Sequence, residues 1–185
     1  MSDEEIIELL FERSEKAISA LETKYNKICM QTSYNILGNR SDAEECVNDA
    51  YLGVWNAIPP ERPNPLVTYV LRIVRNVSLA LYHKNHAQKR NSTYDLAVDE
   101  LAEFIAAPDT VESTLELNEL TAELERFLDK LDKMNRVVFI RRYWFFDSYE
   151  QIAAQTGLSV KNVSVRLTRV RKMLKDYLKE RGIYL

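Results

Sequence analysis

The stretch Ser148-Tyr-Glu-Gln-Ile-Ala-Ala-Gln-Thr-Gly157, followed by Leu-Ser and a segment from Val160 to Leu178, decides the fold of the C-terminal part of this chain. Ser148, with a glutamine three residues later, has the spacing of a capping box, which begins a helix. Gly157 stands where a left-handed residue ends a helix, and Ser159 can cap the next one. The spacing predicts two helices joined by a tight turn, a helix-turn-helix.

The second of these helices has one apolar face. Five apolar residues recur at steps of three or four, which is the period of one helix face: Val163, Leu167, Val170, Leu174 and Leu178. Lysine and arginine fill many of the other positions. The pattern fits an ordinary amphipathic helix with a solvated basic face, and it also fits a DNA-reading helix. The two caps and the glycine between them favour DNA binding.

The position of a residue along this helix predicts what it contacts on DNA. The second helix of a helix-turn-helix lies in the major groove with its first residues facing the base edges. Candidate base or near-base contacts are therefore Lys161, Asn162, Ser164, Val165 and Arg166. Residues further along are expected to meet phosphates, and these are Arg169, Arg171 and Lys172.

The net charge of −3 conceals an uneven distribution along the chain. Residues 1–90 carry a net charge of −1, residues 91–125 carry −10 without a single lysine or arginine, and residues 126–185 carry +8. A block pattern of this kind favours an interaction with nucleic acid. The opposite charges of the last two blocks also favour a closed state at low salt.

Several functional classes are disfavoured by composition. No apolar run approaches the roughly 18 residues of a membrane span, and the acidic N-terminus does not resemble a signal peptide, so we expect a cytoplasmic protein. Cys29 and Cys46 are expected to be reduced, buried thiols. With His83 and His86 as the two histidines, we expect no metal site and no cofactor. An enzyme is disfavoured because no catalytic constellation or phosphate-binding glycine loop is visible.

The chain is predicted to be all-α, with two helical domains joined by an acidic linker. The expected domains are 1–90, the linker 91–112, and 113–185, which contains the helix-turn-helix. A short docked segment within the linker is compatible with its few apolar residues. The expected helices are near 3–20, 22–37, 41–57, 65–84, 113–131, 134–144, 149–156 and 160–180.

The helix between Asp42 and Trp55 has two different faces. Its core stripe is expected to consist of Ala43, Cys46, Val47, Ala50 and Val54. Another side carries acidic and polar groups with one protruding apolar residue: Glu45, Asn48, Asp49 and Leu52. This side is either a solvated face or a docking surface for a basic partner helix.

A proline-rich loop at 59–65 precedes the next predicted helix, in which Pro65 occupies the first position. The core-facing residues are expected to be Val70, Ile73, Val74, Val77 and Leu81. Aromatic and basic residues remain for the outer surface, where they suit unstacked single-stranded bases: Tyr69, Arg72, Asn76, Lys84, Lys89 and Arg90. For Tyr69 and Tyr82, plain core packing is an equally good interpretation.

These motifs, in this order, resemble a bacterial sigma factor of the extracytoplasmic-function (ECF) group. The matching segments are Asp42-Ala-Glu-Glu-x-Val-Asn-Asp-Ala-Tyr-Leu-x-Val-Trp55, Thr68-Tyr-Val-x-Arg-Ile-x-Arg-Asn76, the helix-turn-helix from Ser148, and Val163-x-x-Arg-Leu-x-Arg-x-Arg-Lys172. The resemblance covers nearly the whole chain, and the acidic linker lies where that group has its linker.

The resemblance implies a transcription initiation factor that binds core RNA polymerase and directs it to particular promoters. The surface for the clamp coiled coil of the polymerase β′ subunit would comprise Glu45, Asn48, Asp49 and Leu52. The loop at 59–65 and the following helix would capture and melt the minus-ten element through Tyr69, Arg72, Arg75, Asn76 and Lys84. The C-terminal domain would read the minus-thirty-five element and pack on the flap of the β subunit.

The resemblance has further implications for regulation and specificity. The acidic linker could occupy the positively charged RNA channel as a mimic of the transcript, and an anti-sigma factor is a plausible partner. Tyr69 stands where the family frequently has tryptophan. Ser164 and Val165 stand where lysine and serine are frequent, so this chain's own promoter preference is expected there.

A second class of protein remains open, a two-domain regulator that binds operator DNA without polymerase. Such a regulator would usually dimerise and bind a palindrome. It would account for the C-terminal half but would leave the surface at 42–55 and the acidic linker without a role.

Overall fold

The computed structural model describes residues 1–85, 92–102 and 114–183, and all regular structure in these ranges is α-helical. The predicted all-α fold is therefore confirmed. The helices are α1 (Asp3–Phe11), α2 (Lys16–Leu37), α3 (Arg40–Ala57), α4 (Leu66–Asn85), α5 (Thr93–Ala102), α6 (Thr114–Lys130), α7 (Lys133–Tyr143), α8 (Tyr149–Thr156) and α9 (Val160–Glu180). The chain divides into two compact units, Met1–Thr93 and Tyr94–Leu185.

In the first unit, α2, α3 and α4 pack against one another, and α1 packs against α2. The core stripe expected on α3 is buried at every position: Ala43, Cys46, Val47, Ala50 and Val54. Cys29 and Cys46 are free, buried thiols, and burial raises the pKa of Cys29 to about 11.

The predicted break between the first two helices was wrong. We expected helices near 3–20 and 22–37, whereas α1 ends at Phe11 and α2 runs unbroken from Lys16 to Leu37. Arg13 interrupts the chain in the left-handed region, with φ 56°. Its guanidinium donates to the backbone oxygen of Trp55 at the end of α3 and lies 5.4 Å from the Trp55 ring centre. A long-range contact thus accompanies a turn that local sequence does not signal.

The buried face of α4 also differs from the expected one towards its C-terminal end. Val77 and Leu81 are only half-buried, and Ser78 and Tyr82 are buried in their place. The Ser78 hydroxyl donates to the Val74 carbonyl at 2.7 Å. Because its proton is used there, it accepts from the Ser33 hydroxyl, 2.8 Å away on α2. Both buried hydroxyls are satisfied, so a serine can lie in this core.

The second unit is organised around α9. The predicted apolar stripe is buried over its whole length: Val163, Leu167, Val170, Leu174 and Leu178. Its N-terminal part packs with Val138 of α7 and Ile152 of α8. Its C-terminal part packs with Phe127, at the end of α6, and Phe139. One face of α9 therefore holds α6, α7 and α8 together.

The helix-turn-helix has the predicted caps. The Ser148 hydroxyl accepts from the Gln151 amide, and the Gln151 side chain accepts from the Ser148 amide, which completes the capping box. Gly157 ends α8 in the left-handed region with φ 74°. The Ser159 hydroxyl accepts from the Asn162 amide at the start of α9. The end of α8 and the start of α9, which orient α9, are therefore determined by residues next to them in the sequence.

Part of the expected acidic linker is helical. The described residues of that segment include α5, which contributes Tyr94 to the second unit, where its ring meets Phe146 edge-on at 4.9 Å between centres. Phe146 is buried and has φ 55°. Residue 91 and residues 103–112 of the expected linker lie outside the described residues, as do the expected base-proximal Lys89 and Arg90. The functional boundaries 1–90, 91–112 and 113–185 remain a prediction.

We predict that Gly157→Ala lowers the free energy of unfolding of the helix-turn-helix by about 1–2 kcal/mol, since L-residues are strained in the left-handed region. Steric repulsion adds nothing to this loss of stability, because an added Cβ would meet no atom within 4 Å. Gly157→Asn should cost less, because asparagine tolerates this conformation. Amide hydrogen exchange in α8 and α9 measures both changes. An alanine variant as stable as the wild type would contradict the assignment of Gly157 to a left-handed position at the end of α8.

Candidate nucleic-acid and protein interfaces

The exposed side of α9 is basic over most of its length. Five of the eight expected DNA-contacting residues are exposed there: Lys161, Asn162, Val165, Arg169 and Lys172. They lie opposite the buried apolar stripe, so packing of that stripe turns them towards solvent. The exposed side combines positive charge with the exposed apolar side chain of Val165, a combination suited to phosphates and to the methyl group of thymine.

Ser164 and Arg166 are half-buried. The Arg166 guanidinium donates to the Asn135 side-chain oxygen at 2.8 Å and lies 4.0 Å from the carboxylate of Asp132. Asp132 is the N-cap of α7. Arg166 is therefore held against the start of α7, with its side chain 35% exposed, and it remains a candidate contact at the edge of the basic face.

Arg171 is not on the exposed face, which differs from the expected phosphate contact. Its side chain is only 8% exposed and lies 3.2 Å from the carboxylate of Glu100. It also donates to the Tyr143 hydroxyl at 2.9 Å. In this conformation, the guanidinium is directed into the second unit. The helical period could have signalled this, since Arg171 neighbours Val170 and Leu174 on the stripe side.

On α4, the expected aromatic and basic residues share one surface. Arg72, Asn76 and Lys84 are exposed, and Tyr69 and Arg75 are half-buried. The Arg72 guanidinium lies 5.0 Å from the centre of the Tyr69 ring. Burial, followed by the hydrogen bond to Glu61, raises the pKa of the Tyr69 hydroxyl. Tyr69 is thus a partly accessible ring beside a cation, as base stacking requires.

Tyr82 behaves differently from Tyr69. It is buried, so plain core packing is the correct interpretation for this residue.

The loop between α3 and α4 is attached to α1. Arg62 forms an ion pair with Glu8, with 2.6 Å between Nη1 and Oε1, and its guanidinium lies 4.0 Å from the centre of the Phe11 ring. The Arg62 pair lowers the pKa of the Glu8 carboxyl. The pair is exposed and contributes little stability by itself, but stacking on Phe11 gives the loop a defined position beside α4.

A groove of 370 Å³ adjoins the candidate docking surface on α3. Glu45, Asn48 and Asp49 are exposed, and Leu52 is 56% exposed. The groove is lined by apolar and acidic side chains of two helices and the α2 N-cap: Glu15, Ile18, Glu22, Asn48, Tyr51, Leu52 and Trp55. An exposed leucine beside carboxylates suits an amphipathic basic helix.

The contribution of α2 to this groove was missed from the sequence. Glu15, Ile18 and Glu22 are spaced at three and four residues, which places them on one side of a continuous helix. The expected helix break at residue 21 obscured this periodicity. A continuous α2 would have revealed it.

Two further findings concern the described ranges 1–85, 92–102 and 114–183. None of the helices there is both long and apolar enough to cross a membrane. Within the same ranges, no three histidine, cysteine, aspartate or glutamate side chains come together in a way that could hold a metal ion.

Two family models match the chain, one in each unit. Residues 24–88 match Sigma-70 region 2, and residues 121–174 match Sigma-70, region 4. Together they cover more than half of the 185 residues. The first match contains α3 and α4, and the second contains the helix-turn-helix. The candidate surfaces on α3 and α4 therefore fall within the first match, apart from the α2 side of the groove, and the candidate DNA contacts of α9 fall within the second.

Named relatives agree with these matches. The ECF RNA polymerase sigma factor SigE of Mycolicibacterium smegmatis is 26% identical over 147 residues, which are 79% of this chain and 55% of SigE. The chain thus spans about half the length of that protein. The RNA polymerase sigma-H factor of Bacillus licheniformis is 23% identical over 203 residues, which cover 100% of this chain and 90% of sigma-H.

One solved structure is similar to the chain over most of its length. The structure of CnrH in complex with the cytosolic domain of CnrY is 22% identical, with a TM-score of 0.45. The alignment covers 96% of this chain and 97% of that one.

We predict that Arg169→Ala weakens binding of the full chain to duplex DNA and makes the slope of log affinity against log salt shallower by about 0.9, the value for one lost phosphate contact. Lys179→Ala is the matched control, because it removes the same charge from an exposed position in the last turn of α9. Fluorescence anisotropy at several salt concentrations measures the slope. Equal slopes for the two variants would exclude Arg169 as a phosphate contact.

Proposed function

The chain belongs to the sigma-70 family as a sigma factor of the ECF type, and from this premise we propose that it binds core RNA polymerase and directs it to specific promoters. The observation that carries the proposal is the presence of region 2 and region 4 matches in one chain, each containing an exposed surface of suitable chemistry. A sigma factor needs both surfaces, because it must hold polymerase and contact DNA.

The first proposed contact is with the clamp coiled coil of the polymerase β′ subunit. It would use Glu45, Asn48, Asp49 and Leu52, together with the groove beside them. Complete burial of a leucine side chain is worth roughly 1.5–3 kcal/mol, and Leu52, which is 56% exposed, can supply part of this. The surrounding carboxylates favour a basic partner and speed its approach. The exposed Leu52 on this surface makes a purely solvated face the weaker interpretation.

The second proposed contact is with the minus-ten element. Tyr69 and Arg72 form an aromatic and cationic pair, which suits a flipped base and its phosphate. Arg75, Asn76 and Lys84 extend this surface along α4, and the loop held by Arg62 borders it. Tyrosine has a smaller ring system than tryptophan, so the stacking contribution at Tyr69 is expected to be weaker than in relatives with tryptophan there.

The third proposed contact is with the minus-thirty-five element. The exposed face of α9 would enter the major groove, with Lys161, Asn162 and Val165 near the bases and Arg169 and Lys172 at phosphates. Ser164 and Arg166 lie at the edge of that face and are proposed as secondary contacts. Ser164 and Val165 are where this chain's own sequence preference should be sought. The second unit would also pack on the flap of the β subunit.

The proposed activity has consequences for partners and location. The chain would work in the cytoplasm, where it meets polymerase and promoter DNA, and it would supply binding rather than catalysis. An anti-sigma factor that covered the α3 surface would keep the chain from polymerase. An operator-binding regulator remains the alternative, but it gives the acidic groove and Leu52 no role.

We predict that the double charge reversal Glu45→Lys and Asp49→Lys weakens binding to core polymerase about tenfold or more, because like charges then face the basic partner. Both residues are exposed, so the fold should be preserved. Glu4→Lys with Glu12→Lys makes the same change of charge at exposed positions of α1 and its C-cap. Co-elution with core polymerase and competition binding measure the effect.

Two outcomes of that experiment would contradict the proposal. One is a wild-type chain that does not co-elute with core polymerase, which would contradict the proposed binding to polymerase. The other is an equal loss of affinity in the two charge-reversed proteins, which would exclude the α3 surface as the docking site. Circular dichroism of each variant verifies that the helices remain formed.

A further inference from the structure

The carboxylate of Glu100 occupies a buried basic site in the second unit. Arg142 holds it with two hydrogen bonds, from Nε to Oε2 at 3.1 Å and from Nη2 to Oε1 at 2.7 Å. Arg171 donates to Oε2 at 3.2 Å. The Tyr143 hydroxyl lies 3.5 Å from the same oxygen. Two guanidinium groups and a phenol thus converge on one oxyanion.

The donors of this site belong to the DNA-binding fold, whereas the carboxylate comes from the acidic segment. Arg142 and Tyr143 lie at the end of α7, Arg171 lies on α9, and Glu100 lies on α5. The Arg142 guanidinium also donates to the carbonyl of Asp147 at 3.0 Å, directly before α8. The site therefore adjoins both helices of the helix-turn-helix.

Loss of the bound carboxylate without a replacement is unfavourable. The side chains of Arg142 and Arg171 are only 2% and 8% exposed. Removing one partner from a buried ion pair is strongly destabilising, because it leaves an uncompensated charge. A vacated site must either collapse or accept another anion. Forked guanidinium donors bind phosphate as well as carboxylate.

The helix that carries Glu100 is suited to release. α5 has 10 residues, fewer than an isolated helix needs to be stable in water. Leu96, Val98 and Asp99 are exposed along it. Glu100 itself retains 26% exposure of its side chain, so an incoming anion can approach the carboxylate from solvent.

The site lies just beneath the DNA-facing surface of α9. Arg171 donates to the hydroxyl of Thr168 at 3.2 Å, and Thr168 is exposed, as is its neighbour Arg169. A phosphate that follows the basic face of α9 can therefore reach the Arg171 guanidinium at the edge of that face. Because the exposed face of α9 is the proposed contact with duplex DNA, a nucleic-acid phosphate is the anion that the site is expected to take.

We propose that Arg142, Tyr143 and Arg171 form a binding site for a backbone phosphate of duplex DNA, and that Glu100 occupies this site in the free protein as an internal competitor. The inference rests on the proposed function in one respect, that the second unit binds duplex DNA. Phosphate binding displaces Glu100 and releases α5. DNA binding by the free chain is weakened accordingly, and engagement of DNA is coupled to release of the acidic segment.

The first test compares Glu100→Gln with Asp99→Asn in the full chain. Both remove one negative charge from α5, but Asp99 is exposed and outside the site. With a 20-base-pair duplex as probe, Glu100→Gln should bind at least about threefold more tightly, and its salt slope should steepen by about 0.9 for the added phosphate. Asp99→Asn should leave the slope unchanged. Adding Arg171→Gln to Glu100→Gln should remove the gain.

A second test uses the wild-type protein and so does not depend on how a variant folds. Saturating duplex should accelerate amide hydrogen exchange across α5, because Glu100 has been displaced. Exchange that stays unchanged in α5 would overturn the proposal, as would a folded Glu100→Gln variant with the affinity and slope of Asp99→Asn. Both tests omit polymerase. A failure to bind core polymerase would therefore overturn the sigma function and leave the phosphate site standing.

Discussion

Burial of one face of α9 is the constraint on which the second unit depends. Val163 and Leu167 close one apolar cluster with α7 and α8, and Val170 and Leu174 close another with α6 and α7. The same burial leaves the opposite face in water, where lysine and arginine are readily solvated. Core packing and DNA recognition are thus two consequences of one amphipathic period, because the helix cannot bury its stripe without presenting its basic residues.

The first unit uses the same principle for a different partner. α3 buries Ala43, Val47 and Val54 and leaves an acidic face on which Leu52 protrudes. An exposed leucine side chain contributes little to the stability of the fold, and it supplies apolar area to an interface when a partner covers it. Leu52 also lines the groove between α2 and α3, so a partner that fills the groove would contact it. Under the proposed function, a chain of near-neutral net charge would bind a basic protein with one unit and acidic DNA with the other.

Features that depend on neighbouring residues were predictable from the sequence, and features that depend on distant contacts were not. Ser148, Gly157 and Ser159 act within one turn of their own helices, so the boundaries of α8 and α9 could be predicted. The turn at Arg13 is accompanied by a contact with Trp55, 42 residues away. The helical period places Arg171 beside the buried stripe of α9, but its partner Glu100, 71 residues away, could not be predicted from that period.

The central claim is that the two units serve one promoter-directed function, and transcription in a purified system tests it most directly. Core RNA polymerase, the purified chain and a library of bacterial DNA fragments are combined, and transcript start sites are mapped. The account predicts transcripts that require the chain and begin downstream of asymmetric, two-part sites. It is contradicted if no transcript depends on the chain and the chain alone binds palindromic DNA as a dimer.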